Sequence, residues 1–209
     1  MKILVACEES QAVTIAFRSK GHEAFSCDVQ ECSGGYPEWH IQGDALKEAY
    51  SGNYDMMIAF PPCTYLTVAA NRHFVNNPER WKARYEAMLF VYDLLNAPID
   101  KIALENPIDA ISTYIRPPEQ IVNPFYFGDN VPKKTCLWLK NLSPLIHSAN
   151  NTLFDVKTHV EPEYLVYNSK SNKSGKSKYS VFGKQGKGHG KTRSKTFPGI
   201  ANAMAEQWG

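Results

Sequence analysis

The chain has 209 residues, of which 43% are hydrophobic and 21% charged, with a formal net charge of +2. This composition is ordinary for a globular protein and suffices for one domain with a full core. No apolar run approaches the roughly 18 residues that a membrane span needs. The opening segment also lacks the basic and apolar regions of a signal peptide. We therefore expect a cytoplasmic protein without a membrane partner.

The cysteines argue against disulfides and against a structural metal. They are five in number, scattered, and without any Cys-x-x-Cys pair: Cys7, Cys27, Cys32, Cys63 and Cys136. No group of histidines and cysteines has the spacing of a zinc site. We expect most of these cysteines to be small buried hydrophobic residues, and we expect no bound metal.

Charge is distributed unevenly along the chain. Residues 170–195 hold nine lysines or arginines and no acid, whereas the remainder has 14 basic and 21 acidic residues. An acidic body with a basic segment indicates electrostatic contact with a polyanion. A solvated Lys/Gly/Ser loop that binds nothing specific has the same composition, and charge alone does not choose between the two.

Strand-like and helix-like segments alternate over the first 110 residues. Helical spacing predicts a helix that begins after Ser10 as N-cap and ends at Gly21, and a longer one over 78–96. Short apolar runs predict strands at 2–7, 23–29, 41–45, 54–60 and 101–107, followed by a strand at 135–142 and a helix at 199–208. This alternation favours an α/β sheet with largely parallel strands.

Function in such sheets gathers at the carboxyl ends of the strands. Here those ends carry Cys7 to Ser10, Asp28, Asp44, Pro61 to Cys63, and Glu105 to Pro107. An acid at the position of Asp28 commonly holds ribose hydroxyls, although strand-end acids also serve as loop caps. Because no glycine-rich phosphate loop precedes it, a dinucleotide or triphosphate is disfavoured and a nucleoside-type cofactor without phosphate is compatible.

Cys63 follows two prolines at the end of a buried strand. The fixed φ of Pro61 and Pro62 holds the thiol rigidly. Glu105 ends a neighbouring strand, where it could serve as a proton donor with a raised pKa. A thiol paired with a carboxyl suits addition to an electron-poor ring better than peptide hydrolysis.

Several motifs resemble those of the DNA cytosine-5 methyltransferases. "FPPC" at 60–63 and "ENP" at 105–107 are similar to the Pro-Cys loop after the fourth strand and the Glu-Asn pair after the fifth. Four more segments resemble further family motifs: the opening through Asp28, "GDA" at 43–45, "FGDNVPKKTCLWLKNLSPL" and "FPGIANAMAEQW". The likeness therefore runs from residue 2 to about 145 and resumes near 193. The resemblance implies a Rossmann-like S-adenosylmethionine-dependent methyltransferase fold with a mostly parallel central sheet.

The resemblance also implies roles for individual residues. Cys63 would attack C6 of a cytosine while Glu105 protonates or hydrogen-bonds N3, and S-adenosyl-L-methionine would supply a methyl group to C5. Substrate contacts would come from Pro62, Asn106, Lys133, Lys134 and Thr135. Cofactor contacts would come from Cys7, Glu8, Ser10, Asp28, Val29, Asp44, Ala45, Pro61 and Asn202. In duplex DNA the cytosine must be flipped out of the stack before a thiol can reach it.

The chain departs from the family pattern in three places. "CEES" replaces the glycine-rich first loop, Pro107 replaces a small β-branched residue, and lysines stand where the later motif has arginines. The chain is also too short for a large target-recognition domain. We expect a catalytic core at 1–146, a basic DNA-contacting insertion at 147–192 with Tyr167, Tyr179 and Phe182 available for stacking, and a closing helix within 193–209.

Three alternatives stay open from the sequence. An amino-methyltransferase would need an Asp/Asn/Ser-Pro-Pro-aromatic motif, which Phe60 and Cys63 match poorly. C5 chemistry on a free pyrimidine nucleotide would explain the missing recognition domain. A DNA-binding protein without turnover would explain the altered first loop, but both Cys63 and Glu105 are present. The small size of the chain suits a phage or mobile-element modification enzyme, as in restriction-modification. The sequence does not specify the oligomeric state.

Overall fold

A computed structural model of the chain describes residues 1–150, 156–168, 176–179 and 196–209. Its strands are β1 Lys2–Ala6, β2 Glu23–Asp28, β3 His40–Gln42, β4 Met56–Ala59, β5 Lys101–Pro107, β6 Gln120–Val122, β7 Thr135–Lys140, β8 Leu165–Asn168 and β9 Lys176–Tyr179. Its helices are α1 Ala12–Ser19, α2 Ala45–Ala49, α3 Pro78–Leu95, α4 Ile111–Tyr114 and α5 Pro198–Trp208.

The central sheet has the strand order β3-β2-β1-β4-β5-β7-β6. Strands β1 to β5 pair in parallel, and β7 lies antiparallel to both β5 and β6. The predicted fold class, a Rossmann-like α/β fold with a mostly parallel sheet, is confirmed. Because β7 runs against β5, the start of β7 at Thr135 pairs with Pro107 at the end of β5. The sheet therefore brings the amino end of β7 to the edge where the parallel strands end.

Helices cover both faces of the sheet, which explains the uninterrupted apolar runs of its strands. Ile3 and Val5 of β1 belong to the core on the side of α1 and α5, whereas Leu4 and Ala6 belong to the core beneath α2 and α3. Helix α5 packs against α1, so the C-terminal residues close one face of the sheet. The Trp208 indole is 6% exposed and donates to the Ser143 carbonyl over 2.9 Å.

Most predicted elements are present, and three details are corrected. Helix α1 begins at Ala12 after Gln11 with φ of 59°, so Ser10 is not its N-cap. The predicted strand over 41–45 is only the end of β3, because Asp44 already caps α2 with its side chain. The short elements α2, α4 and β6 were not predicted. Gly21, with φ of +86°, follows α1 as expected of a helix-terminating glycine.

The basic segment over 170–195 lies outside the described residues except for the short strand β9, which pairs with β8. Phe182 is also outside them. The predicted division into core, insertion and closing helix therefore stays a prediction. In the ranges that the structure describes, no helix is long and apolar enough to cross a membrane.

Candidate active site

The Cys63 thiol sits at the start of a tight turn that follows β4. The Phe60 N–H donates to the Ala6 carbonyl over 2.9 Å, which extends the sheet pairing past the end of the strand. Pro61 is then buried, Pro62 is exposed, and Cys63 is half-buried. The Cys63 carbonyl accepts from the N–H groups of Leu66 and Thr67, each over 3.0 Å. The two prolines before Cys63 and the hydrogen bonds to its carbonyl together fix the position of this residue.

Two buried polar side chains hold the loop that contains Cys63. Asn106, 1% exposed on β5, donates through Nδ2 to the Pro61 carbonyl over 2.8 Å. Arg84, 4% exposed on α3, donates to the Tyr65 carbonyl over 2.7 Å and to Asn71 Oδ1 over 2.9 Å. Buried hydrogen bonds of this kind are costly to lose. The loop is thus fastened to both the sheet and α3.

Glu105 lies at the end of β5 beside Thr135 and Lys133. The Thr135 hydroxyl donates a short hydrogen bond to the Glu105 carboxylate. Burial raises the pKa of Glu105 above its ordinary value, while the charge of Lys133 and the bond from Thr135 lower it in part. The net increase favours the protonated carboxyl, as the sequence predicted for a proton donor.

The charges of Glu105 and Lys133 also act on Cys63. Burial raises the pKa of the Cys63 thiol, the Glu105 carboxylate raises it further, and Lys133 lowers it. The resting side chain is therefore a thiol at neutral pH, and it needs to lose a proton before it can act as a nucleophile. The charge of Glu105 thus acts on the Cys63 thiol, and the predicted pairing of the two residues in one reaction stays a prediction.

A small pocket opens next to Glu105. Its walls come from β5, β7 and the C-terminal segment: Glu105, Pro124, Lys133, Thr135, Thr196, Phe197 and Ile200. The Lys133 ammonium lies 5.5 Å from the centre of the Phe197 ring. Lys134 is exposed and does not line this pocket. Three of the predicted residues thus share one concavity with four that were not predicted, namely Pro124, Thr196, Phe197 and Ile200.

Sequence reasoning missed two buried charged residues beside the Cys63 loop. Asp109 is 2% exposed; its Oδ1 accepts from the Ile111 N–H over 2.9 Å, and its Oδ2 has no hydrogen-bond partner among the described residues. Burial raises the pKa of Asp109 to about 7. Arg84 shares the core-facing spacing of Val91 and Leu95, and a basic residue at that spacing was the signal available in the sequence.

Most of the predicted cofactor residues lie at the ends of β1 to β3, whereas Pro61 lies in the Cys63 loop and Asn202 on α5. Cys7 has φ of 61°, in the left-handed region that favours glycine, and its N–H donates to the Cys27 carbonyl over 2.7 Å. Burial raises the pKa of Cys7, and the nearby charges of Asp28 and Asp44 add to that increase. Val29 is 73% exposed directly after β2, and Ala45 is buried at the start of α2. The structure thus groups Cys7, Asp28 and Asp44.

Glu8 requires a correction. Its carboxylate is 3% exposed and accepts from the Val13 N–H over 2.7 Å and from the Thr14 N–H and hydroxyl over 3.2 and 2.8 Å. It therefore caps α1 from within the protein, and its oxygens are not directed at a cofactor site as predicted. Ser10 is half-buried, and Asn202 is exposed on α5 without a hydrogen bond inside the described ranges.

Comparisons with known proteins identify no family. No family model matches the sequence, and no curated protein matches it. Among solved structures, the chain is similar to an E. coli prophage protein described as a "putative DNA modification methyltransferase", with 10% identity and a TM-score of 0.41. That likeness covers 66% of this chain and 46% of the other, so the chain spans less than half of its length. It carries no argument about activity.

Proposed function

We propose that the protein transfers a methyl group from S-adenosyl-L-methionine to C5 of cytosine in DNA. The observation that carries the proposal is that a turn-held thiol follows β4 and a half-buried carboxyl lies near the end of the neighbouring strand β5, with the charge of Lys133 lowering the pKa of both. This is the arrangement that attack on a pyrimidine ring requires: a nucleophile for C6 and a proton donor for N3. The motifs of the DNA cytosine-5 methyltransferases support the same assignment.

The reaction begins and ends at Cys63. Its Sγ would give its proton to solvent and form a bond to C6, and the π electrons of the C5–C6 bond would move toward N3, where Glu105 would deliver its proton. S-adenosyl-L-methionine, when bound, would supply an electrophilic methyl group at C5. The C5 proton would then leave to solvent, the Sγ–C6 bond would break, and N3 would return its proton to Glu105. Cys63 would take a proton back from solvent, so both side chains would be restored, and the base would have exchanged its C5 proton for a methyl group.

The residues of the first three strand ends fit the nucleoside end of that cofactor. Asp28 uses Oδ1 to accept from the Gln30 N–H over 2.9 Å, and the structure assigns no bond to its Oδ2 inside the described ranges. The exposed apolar Val29 offers a surface for a purine ring beside it. Asp28 would hold the ribose hydroxyls, and Val29 would contact the adenine. Because the Glu8 carboxylate is already bonded to the start of α1, the methionine end of the cofactor needs other partners.

DNA as the substrate accounts for the basic segment over 170–195. Lysines and arginines that neutralise phosphates bind without sequence preference and release counterions, so the affinity falls steeply with salt. A duplex substrate further requires the cytosine to leave the stack. We expect deletion of 170–192 to weaken DNA binding and to flatten its salt dependence, while cofactor affinity is kept. Equal loss of both would assign the segment to the fold instead.

Nucleoside mass spectrometry of DNA from cells expressing the protein tests the proposal. We expect 5-methylcytosine in cells with the natural sequence and none in cells with Cys63→Ser at equal protein level. Methylated adenine with unmodified cytosine would assign the protein to the amino-methyltransferases. Unmodified DNA together with no calorimetric binding of S-adenosyl-L-methionine would assign it to the DNA-binding proteins without turnover.

A further inference from the structure

Helix α3 exposes an apolar stripe on the face that does not contact the core. Trp81, Tyr85, Leu89 and Tyr92 are 37%, 68%, 60% and 52% exposed. Spacings of four, four and three residues place these side chains along one line of a helix. Val91, Leu94 and Leu95 fill the opposite, buried face. Solvent-exposed helix faces are ordinarily polar, and contiguous exposed apolar side chains mark interaction sites. We call these four residues the α3 stripe.

The α3 stripe is complementary to itself when two helices run antiparallel. Trp81 and Tyr92 are equally distant from the midpoint between residues 86 and 87, and Tyr85 and Leu89 are equally distant from residue 87. A twofold axis near residue 87 would thus place Trp81 opposite Tyr92 of the second copy, and Tyr85 opposite its Leu89. Closed twofold dimers use the same patch on both subunits in this way.

Charges beside the α3 stripe fit the same register. Lys82 and Asp93 follow Trp81 and Tyr92 by one residue each, so they lie on one flank of the helix. In the antiparallel pair this flank faces the same flank of the second copy, and Lys82 meets Asp93 twice by symmetry. Neither side chain forms an ion pair within the described part of the chain. In a parallel pair this flank would face the opposite flank of the second copy, and Lys82 would not meet Asp93.

A surface concavity lies at the start of α3, where a side chain of a second copy could enter. It is lined by Asn76, Asn77, Pro78, Trp81, Lys82 and Tyr85. In the antiparallel register, Tyr92 of the second copy approaches this concavity, and an aromatic ring is the kind of anchor that such a pocket holds. We propose that two copies of the chain associate antiparallel through the α3 stripe. The proposal depends on this surface alone and not on the methyl transfer.

Sedimentation velocity over a range of protein concentrations tests this dimer. We expect the natural chain to form a reversible dimer, and Leu89→Lys to weaken it at least ~10-fold because a charge enters the buried centre. Val156→Lys, a control at an 81% exposed residue outside α3, should leave the dimer unchanged. Circular dichroism would verify that all variants are folded.

Reversing the charges of Lys82 and Asp93 tests the antiparallel register of the two α3 helices. Lys82→Asp and Asp93→Lys should each weaken the dimer ~3- to 10-fold because they bring like charges together, and the double variant should restore the affinity to within about twofold. A natural chain that stays monomeric at all concentrations would overturn the proposal. So would a dimer that Leu89→Lys does not weaken, or a double variant that is no tighter than the single ones.

Discussion

The two halves of the sheet edge use their strand-end acids differently. At the ends of β1 to β3, Glu8 caps α1, Asp44 caps α2, and Asp28 accepts from the backbone two residues later. At the ends of β4 and β5, Glu105 instead bonds to Thr135 of another strand, and Asn106 bonds to the Cys63 loop. In the first half, the carboxylates therefore accept hydrogen bonds mainly from nearby backbone N–H groups. In the second half, the side chains bond to residues of other segments of the chain.

This difference shows why a charged residue at a strand end is, by itself, weak evidence for a binding or catalytic role. A carboxylate one or two residues before a helix satisfies free N–H groups that the helix would otherwise leave unpaired. Glu105 has no helix start to cap, because β5 continues through Pro107. Its half-buried carboxyl beside Lys133 is therefore not explained by helix capping, and the experiments below test the two halves against each other.

The largest effect is expected from Glu105→Gln. Glutamine keeps the size of the side chain but has no acidic proton for N3, so we expect kcat for DNA methylation to fall by about 10²- to 10⁴-fold. The affinity for S-adenosyl-L-methionine should stay unchanged, as calorimetry would measure. Glu38→Gln, at an exposed residue near β3, is the matched control. Unchanged kcat would remove Glu105 from the proposed reaction.

Glu8→Gln should change stability and its pH dependence. Burial raises the pKa of Glu8 from 4.5 to about 7, so the folded protein holds this proton more tightly than the unfolded chain. The resulting contribution to the free energy of unfolding is fully present below pH 4.5 and is lost as the pH rises through about 7. The loss amounts to about 3 kcal/mol.

Urea unfolding at a series of pH values measures this effect. The natural chain should lose stability relative to Glu8→Gln between about pH 4.5 and 7, whereas Glu38→Gln should follow the natural chain. Parallel curves for the natural chain and Glu8→Gln would contradict the assignment of Glu8 as a buried capping group.

Asp28→Asn should act on the cofactor alone. The amide keeps an acceptor for the Gln30 N–H but loses the charge that strengthens hydrogen bonds to ribose hydroxyls, so we expect cofactor affinity to fall about tenfold. The reactivity of Cys63 with an alkylating reagent should not change, because Asp28 belongs to the other half of the edge. Unaltered cofactor affinity would place the nucleoside elsewhere.

Opposite shifts in Cys63 reactivity are the smallest expected effect. A mildly alkaline pH favours the ionised form of Glu105. Under that condition, removing its charge with Glu105→Gln lowers the pKa of Cys63, and removing the charge of Lys133 with Lys133→Met raises it. Alkylation of the Cys63 peptide at a fixed, mildly alkaline pH should therefore become about threefold faster and about threefold slower, respectively. Alkylation of Cys32 in the same digest is the reference. Shifts in the same direction would contradict the proposed electrostatics.

Local patterns were sufficient to predict much of the sheet. Continuous apolar runs identified β1, β4 and β5, and the regular spacing of apolar residues with Pro78 at the start identified α3. Elements of three to five residues, such as β6 and α2, carry too few residues for a periodicity. They form because neighbouring strands and caps stabilise them, as the Asp44 side chain does for α2.

The sequence predicted which strand ends carry the candidate residues but not which bonds their side chains form. The motifs singled out Cys63, Glu105 and Thr135, and the antiparallel pairing of β5 with β7 brings Thr135 to Glu105. Whether Glu8 points outward or into α1 depends on where that helix begins, which the sequence placed one residue too early. The role of Arg84 depends on a loop of irregular backbone packing over α3, and no local pattern specifies such packing.

Trapping of the Cys63 adduct tests the central claim most directly. In DNA with 5-fluorocytosine, the fluorine at C5 cannot leave as a proton does, so the Sγ–C6 bond cannot break after methyl transfer. With S-adenosyl-L-methionine present, we predict a covalent protein–DNA complex whose digest carries the base on the Cys63 peptide, and no complex with Cys63→Ser. A complex formed through Cys32, or no complex while unmodified cytosine is methylated, would contradict the assignment of Cys63 as the nucleophile.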